Sequence, residues 1–226
     1  MRGTLALTAK DLRVELRSKE MLGVMLLFSL LIILAFRFAF TDSVRAGTID
    51  MAELSAASLW ICFSFAAVTG IYATFEKERQ RGTMEALMLC PVDRGTLFAG
   101  KALTNFLLVT VVNSFSLVMF SVFFDYGYSG AAVDLYLVMM AGTAAIVAIG
   151  TLVAAIVSAT RSGAALFPIV SIPLVIFAVI LPAVSATRFA IKGDTSAMLS
   201  QLQPVLGFAV LFAVVGYLLI DYVLEV

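Results

Sequence analysis

The residues that most often carry chemistry are scarce in this sequence. It has no histidine, which removes the commonest general base, metal ligand and haem ligand together. Without histidine neither a Ser–His nor a Cys–His pair can form. Of the two cysteines, Cys62 falls inside an apolar run and Cys90 in a charged segment. They are expected at different depths, which does not suit a disulfide. Cys90-Pro91 matches a dipeptide through which some proteins bind haem by thiolate, but two residues carry almost no specificity, and a proline that ends a short helix accounts for it. Gly95-Thr-Leu-Phe-Ala-Gly-Lys101 matches a phosphate-binding loop as far as its lysine. The next residue is Ala102, where a Ser or Thr should meet magnesium, and no strand precedes the segment. The ordinary reading is two loop glycines followed by a lysine that snorkels at a membrane edge. No carboxylate pair sits in a dry site and no cluster has metal-ligand spacing. The expectation is a chain with no catalytic residues, no metal and no cofactor of its own.

The elements around these residues are read from apolar length. Of 226 residues, 62% are hydrophobic and only 13% charged. A soluble domain runs nearer half apolar and a quarter charged, so much of this surface must face lipid. Net charge is zero, which points to no nucleic-acid partner. A helix needs about 20 apolar residues to cross a bilayer. Six stretches meet or approach that length, at 21–40, 54–75, 103–124, 135–160, 163–184 and about 204–220. They are continuous rather than alternating, so a membrane barrel is a poor alternative. The fold class expected is all-α integral membrane, one transmembrane domain over 1–226. The first stretch is long, contains Arg37 and lacks a small-residue cleavage site, so no cleavable signal peptide is expected.

Six spans put both termini on one side, and basic residues choose the side. With the N-terminus inside, the cytoplasmic segments hold Arg2, Lys10, Arg13, Arg17, Lys19, Lys77, Arg79, Arg81, Arg94, Lys101 and Arg161, against Arg37, Arg45, Arg188 and Lys192 outside. Eleven of the fifteen basic residues thus favour cytoplasmic termini.

The polar segments say more than the spans. Before the first span, Leu5, Ala9, Leu12 and Leu16 share a helical face flanked by Lys10, Arg13 and Arg17, the pattern of an amphipathic interfacial helix. Between spans two and three, Glu76-Lys-Glu-Arg-Gln-Arg-Gly-Thr-Met-Glu-Ala-Leu-Met-Leu-Cys-Pro91 carries the second span out of the membrane as a charged extension. Gly82 breaks it, Thr83 can cap a new short helix, and Glu85 lies in its first turn, where the helix dipole favours negative charge. Met84, Leu87 and Met88 then share a face, and Pro91 closes the element. Such a helix suits either a groove on another protein or the membrane surface.

Within the spans no charge lies near the middle, which argues against a proton-coupled pump. Asn113, Ser114 and Ser116 are expected to make interhelical hydrogen bonds. Ala141, Gly142, Ala145, Gly150, Thr151, Ala154, Ala155 and Ser158 permit close helix approach in the fourth span, to a partner in the same chain or in a second copy. Pro168, Pro173 and Pro182 should bend the fifth, beside an external segment at 183–203.

The run Phe75–Asn105 resembles the loop of type-2 ABC exporter permeases, and more narrowly the CcmB family, the haem exporter protein B of cytochrome c maturation. Lys10–Glu20 is similar to that family's lead into its first span. So are Gly150–Arg161 followed by Pro168 and Pro173, and the closing Asp221–Glu225. The resemblance implies a bacterial inner-membrane permease with a separate CcmA-like ATPase that binds the ATP. It makes 83–89 the coupling helix, with Glu76, Glu78, Arg79, Gly82, Thr83, Met84, Glu85, Leu87 and Met88 at the contact. It also implies a second permease copy, a CcmC-like haem-handling membrane protein and a CcmE-like periplasmic haem chaperone, besides membrane lipid. ATP hydrolysis would drive release of the loaded chaperone, or haem movement. The other readings are a type-2 permease for a lipid, drug or polysaccharide, and a scaffold that only recruits cytoplasmic proteins.

Overall fold

The computed structural model describes residues 2–80, 94–125, 127–128, 130–158, 160 and 163–223. The described residues form helices α1 (Arg2–Ser18), α2 (Glu20–Arg45), α3 (Met51–Gln80), α4 (Arg94–Phe124), α5 (Ala132–Ser158), α6 (Gly163–Val175), α7 (Leu181–Lys192) and α8 (Thr195–Val223), with a single π-turn at Ile176–Ile180 between α6 and α7. Six helical segments are long and apolar enough to cross a membrane: α2, α3, α4, α5, the α6–α7 unit and α8. The protein is an all-α, multi-pass membrane protein.

Several helices run beyond their apolar stretches. At about 1.5 Å per residue, the 30 residues of α3 outreach a ~30 Å hydrocarbon core. The excess carries Glu76–Gln80 clear of the apolar run. The third span begins at Arg94 rather than near 103, so Gly95–Lys101 is the opening of a helix and not a loop. The sixth begins at Thr195 rather than near 204. Ser196, Ser200, Gln201 and Gln203 lower the local hydropathy, but they occupy helical turns. The expected external segment at 183–203 is therefore two helix ends joined at Gly193 and Asp194. Gly193 ends α7 at φ 76°, a left-handed conformation glycine adopts freely. Asp194 Oδ1 accepts the Ala197 N–H at 3.0 Å and the Ser196 hydroxyl at 2.9 Å. These contacts, led by the Ala197 N–H, hold its carboxyl below the ordinary value. At the same end Arg188 pairs with Glu53 at 3.3 Å and Lys192 with Asp50 at 3.1 Å.

The centre of the bundle is α5, which packs against α3, α4, α6, α7 and α8. Its small residues answer the question of their partner within this chain. A Cβ on Gly142 would collide with the Trp60 ring of α3, and one on Gly150 would lie 2.8 Å from Ile71 Cδ1. Ala145 and Ala154 are fully buried. The expected interhelical bond is also made: Asn113 Nδ2 donates to Thr143 Oγ1 of α5 at 2.9 Å, and Asn105 Nδ2 donates to Thr151 Oγ1 at 3.3 Å. Ser114 and Ser116 instead donate to carbonyls of their own helix, those of Thr110 and Val112. Trp60 Nε1 donates to Thr187 Oγ1 of α7 at 2.7 Å. The outer faces of α2 and α8 are left apolar and exposed, as at Leu27, Leu31, Val210, Leu211, Val214 and Leu218.

The three prolines of the fifth span do not break it. Pro182 has no N–H and its ring would strike the carbonyl four residues back in a regular helix. Just before it the backbone widens: the Leu181 N–H reaches the Ile176 carbonyl, five residues back, as a π-turn requires.

Candidate transduction site at the loop-bearing end

The described residues hold no group of three Cys, Asp or Glu side chains placed to bind a metal. What stands out is a charged knot where α1, α2, α3 and α4 meet. Glu15 of α1 is 5% exposed. Its Oε1 accepts the backbone N–H groups of Met21 and Leu22 at 2.9 and 3.0 Å, and its Oε2 accepts from Lys77 Nζ of α3 at 3.2 Å. The first N–H groups of any helix lack intrahelical partners. Here α1 supplies the acceptor for α2, and its negative charge suits the α2 dipole. Lys77 also lies 3.6 Å from Glu20. The reversal that brings Glu15 over the start of α2 is made at Lys19, in the left-handed region at φ 55°.

One turn earlier, Asp11 forms a close ion pair with Lys101 of α4 at 3.2 Å and another with Lys10 at 3.1 Å. The Lys101 ammonium stands 5.9 Å from the centre of the Phe75 ring. Lys101 is 7% exposed. It does not snorkel, because Asp11 meets it inside the bundle. Thr8 donates to the Gly100 carbonyl at 3.2 Å, and a Cβ on Gly100 would lie 2.6 Å from Leu7 Cδ2. A larger residue there would have to displace the Leu7 side chain for α1 to stay this close to α4. The four helices line an open cavity of about 260 Å³, bordered by Lys10, Asp11, Glu15, Lys77, Lys101 and Thr104, among others.

The knot brackets the segment singled out from sequence. Residues 81–93 leave from the end of α3 and return at the start of α4. Lys77 lies just before them and Lys101 just after, and both are paired to α1. Of the expected contact residues, Glu76 lies on α3, where its Oε2 accepts the Tyr72 hydroxyl at 3.0 Å. Glu78 and Arg79 are on the last turn of α3, with side chains outside the described residues. Gly82, Thr83, Met84, Glu85, Leu87, Met88 and Cys90 also lie outside them. The family described as CcmB protein matches residues 2–221. The chain belongs to the CcmB family. No curated protein matches it.

In this CcmB-family chain Thr8, Asp11 and Glu15 of the knot do not stand out in the sequence, while Lys10, Lys77 and Lys101 read only as topology, helix-flank or snorkelling residues. Thr8, Asp11 and Glu15 are spaced three and four apart, so they form one strip, a signal hidden beside the more visible apolar strip of α1. Of the expected apolar face only Leu12 packs against the bundle: Leu5 and Leu16 are each 60% exposed, while Thr8 and Glu15 are buried. The polar strip docks because it can satisfy α2's free N–H groups and the two lysines, which leucine cannot.

Nothing in the knot is arranged for bond making or breaking. Its acids and lysines are matched to one another, and apart from the Lys10–Asp11 pair within α1 the ion pairs join separate helices. What it can do is keep the two flanks of residues 81–93, the start of α2 and all of α1 as one unit.

Proposed function

We propose that this CcmB-family chain is the membrane permease of an ATP-driven transporter serving haem export and cytochrome c maturation. The observation that carries this reading is the family match along nearly the whole chain. In this reading the chain has no catalytic site and binds neither ATP nor haem iron. A separate CcmA-like subunit binds and hydrolyses ATP. That subunit docks on the short helix at 83–89, through Met84, Leu87 and Met88, with Gly82, Thr83 and Glu85 shaping the helix and Glu76, Glu78 and Arg79 beside it. The paired lysines on the flanking helices support this role, because they tie the end of α3 and the start of α4 to α1 and α2. The output is release of a haem-loaded CcmE-like chaperone, or haem movement, with a CcmC-like protein and a second permease copy in the assembly. The excess of basic residues on one set of loops supports an inner-membrane placement with both termini cytoplasmic.

The test is deletion of the gene in its host, with membranes stained for covalently attached haem and haem b as control. Loss of the c-type signal with haem b intact supports the reading; an unchanged c-type signal refutes the haem assignment and moves the cargo elsewhere. At the docking helix, Leu87→Asp or Met88→Asp should abolish co-purification of the ATPase while membrane insertion persists. Undiminished co-purification would remove 83–89 from the contact.

A further inference from the structure

Helix α1 has three sectors, and only one meets the bundle. At about 100° per residue, Thr8, Asp11 and Glu15 form the docked strip. Leu5, Ala9 and Leu16 fall together in a neighbouring sector roughly 40° wide, and all three are exposed. Arg13 and Arg17 come next around the helix, also exposed, and neither makes an ion pair with a described residue. Both acidic side chains of α1 are turned away, Asp11 to Lys101 and Glu15 to Lys77. The free part of α1 therefore offers an apolar strip edged only by positive charge. Arg13 and Arg17, one helical turn apart, have their Cβ atoms about 6 Å from each other, close enough to share one phosphate-bearing headgroup.

We propose that this surface of α1 recognises anionic phospholipid, with Leu5, Ala9 and Leu16 seated at the acyl boundary and Arg13 and Arg17 on the headgroup phosphates. The charge complementarity selects the lipid, and the apolar strip selects a membrane over an acidic soluble protein. An interfacial helix is held by apolar burial together with attraction to anionic lipids. Here the opposite side of the same helix is fixed to α2, α3 and α4, so the lipid contact is made at a defined place on the protein.

The test uses the full chain in phosphatidylcholine nanodiscs, with a bimane fluorophore at Ala9→Cys in a Cys62→Ser, Cys90→Ser background. Quenching is compared for brominated phosphatidylglycerol and brominated phosphatidylcholine at equal mole fraction. The expected result is quenching by both, stronger for the anionic lipid. A basic residue at an anionic surface contributes about a fivefold preference, so each of Arg13→Gln and Arg17→Gln should lower the anionic preference by up to about fivefold. The Arg13→Lys, Arg17→Lys double variant should retain it, which separates lost charge from lost folding. Equal quenching by the two lipids, no quenching by either, or a preference that survives removal of both arginines would overturn the proposal.

Discussion

Replacing Glu15 by alanine tests whether the knot is a structural joint. The carboxylate accepts two backbone N–H groups at 2.9 and 3.0 Å and a lysine at 3.2 Å. A hydrogen bond to a charged group contributes about 1.5–3 kcal/mol, and removing one partner of a buried pair costs about 3–5 kcal/mol. Two features reduce the loss. The Lys77 side chain is 28% exposed and has Glu20 at 3.6 Å as a second carboxylate, and Met21, one of the two residues whose N–H is freed, borders an open cavity that water can reach. The net expectation is about 3 kcal/mol for Glu15→Ala. Glu15→Gln, which keeps an acceptor oxygen but not the charge, should cost about 1–2 kcal/mol. Thermal unfolding can be followed in detergent by exposure of the buried Cys62 thiol to a fluorogenic maleimide, in a Cys90→Ser background. At about 2–4 °C per kcal/mol for a chain of this size, Glu15→Ala should lower the Tm by about 6–12 °C. A shift under about 2 °C for alanine, or glutamine as damaging as alanine, would refute the reasoning.

Three further outcomes are expected. Gly142→Ala drives a methyl into the Trp60 ring and should cost about 1–3 kcal/mol by overpacking, seen as a lower Tm in the same assay. Asn113→Leu should change stability by less than about 1 kcal/mol: a membrane interhelical bond contributes about 0.6 kcal/mol, and the change also removes a buried Oδ1 that has no hydrogen-bond partner among the described residues. Asp50 and Asp194 have carboxyls held below their ordinary value of 3.8, Asp50 by the Ala52 N–H and then Lys192, Asp194 by the Ala197 N–H and then Ser196. Their stabilisation is present above about pH 4 and is lost as pH falls through the lowered folded-state values. Scanning Tm against pH should show an acid limb that Asp50→Asn and Asp194→Asn each make shallower.

The spans were legible because a bilayer imposes a length that shows directly in apolar runs. Their ends were not: Gly95–Lys101 and Thr195–Gln203 are polar enough to read as loops, yet each is helical, the first because its lysine is paired with Asp11 inside the bundle. The small residues of α5 were legible as a close-packing surface, but the identity of their partner needed Trp60 and Ile71 in place. The knot was the hardest to see. Lys77 and Lys101 look like topology signals, and Asp11 and Glu15 look like ordinary charges of an amphipathic helix; only the reversal at Lys19 makes the four meet. Helical periodicity showed the strips of α1 but could not say which would face protein.

The π-turn at Ile176–Ile180 has a consequence for phase. One extra residue in a helical turn shifts everything after it by roughly 100° around the axis. Thr187, eleven residues beyond Ile176, meets Trp60 on the shifted phase and not on the one set by α6. The fifth span is therefore two helical registers joined end to end, and its two halves can keep different neighbours. Deleting a single residue from 176–180 would merge the registers, turn Thr187 away from the indole and bring Pro182 into conflict with the backbone behind it, with no side chain of the Trp60–Thr187 contact altered.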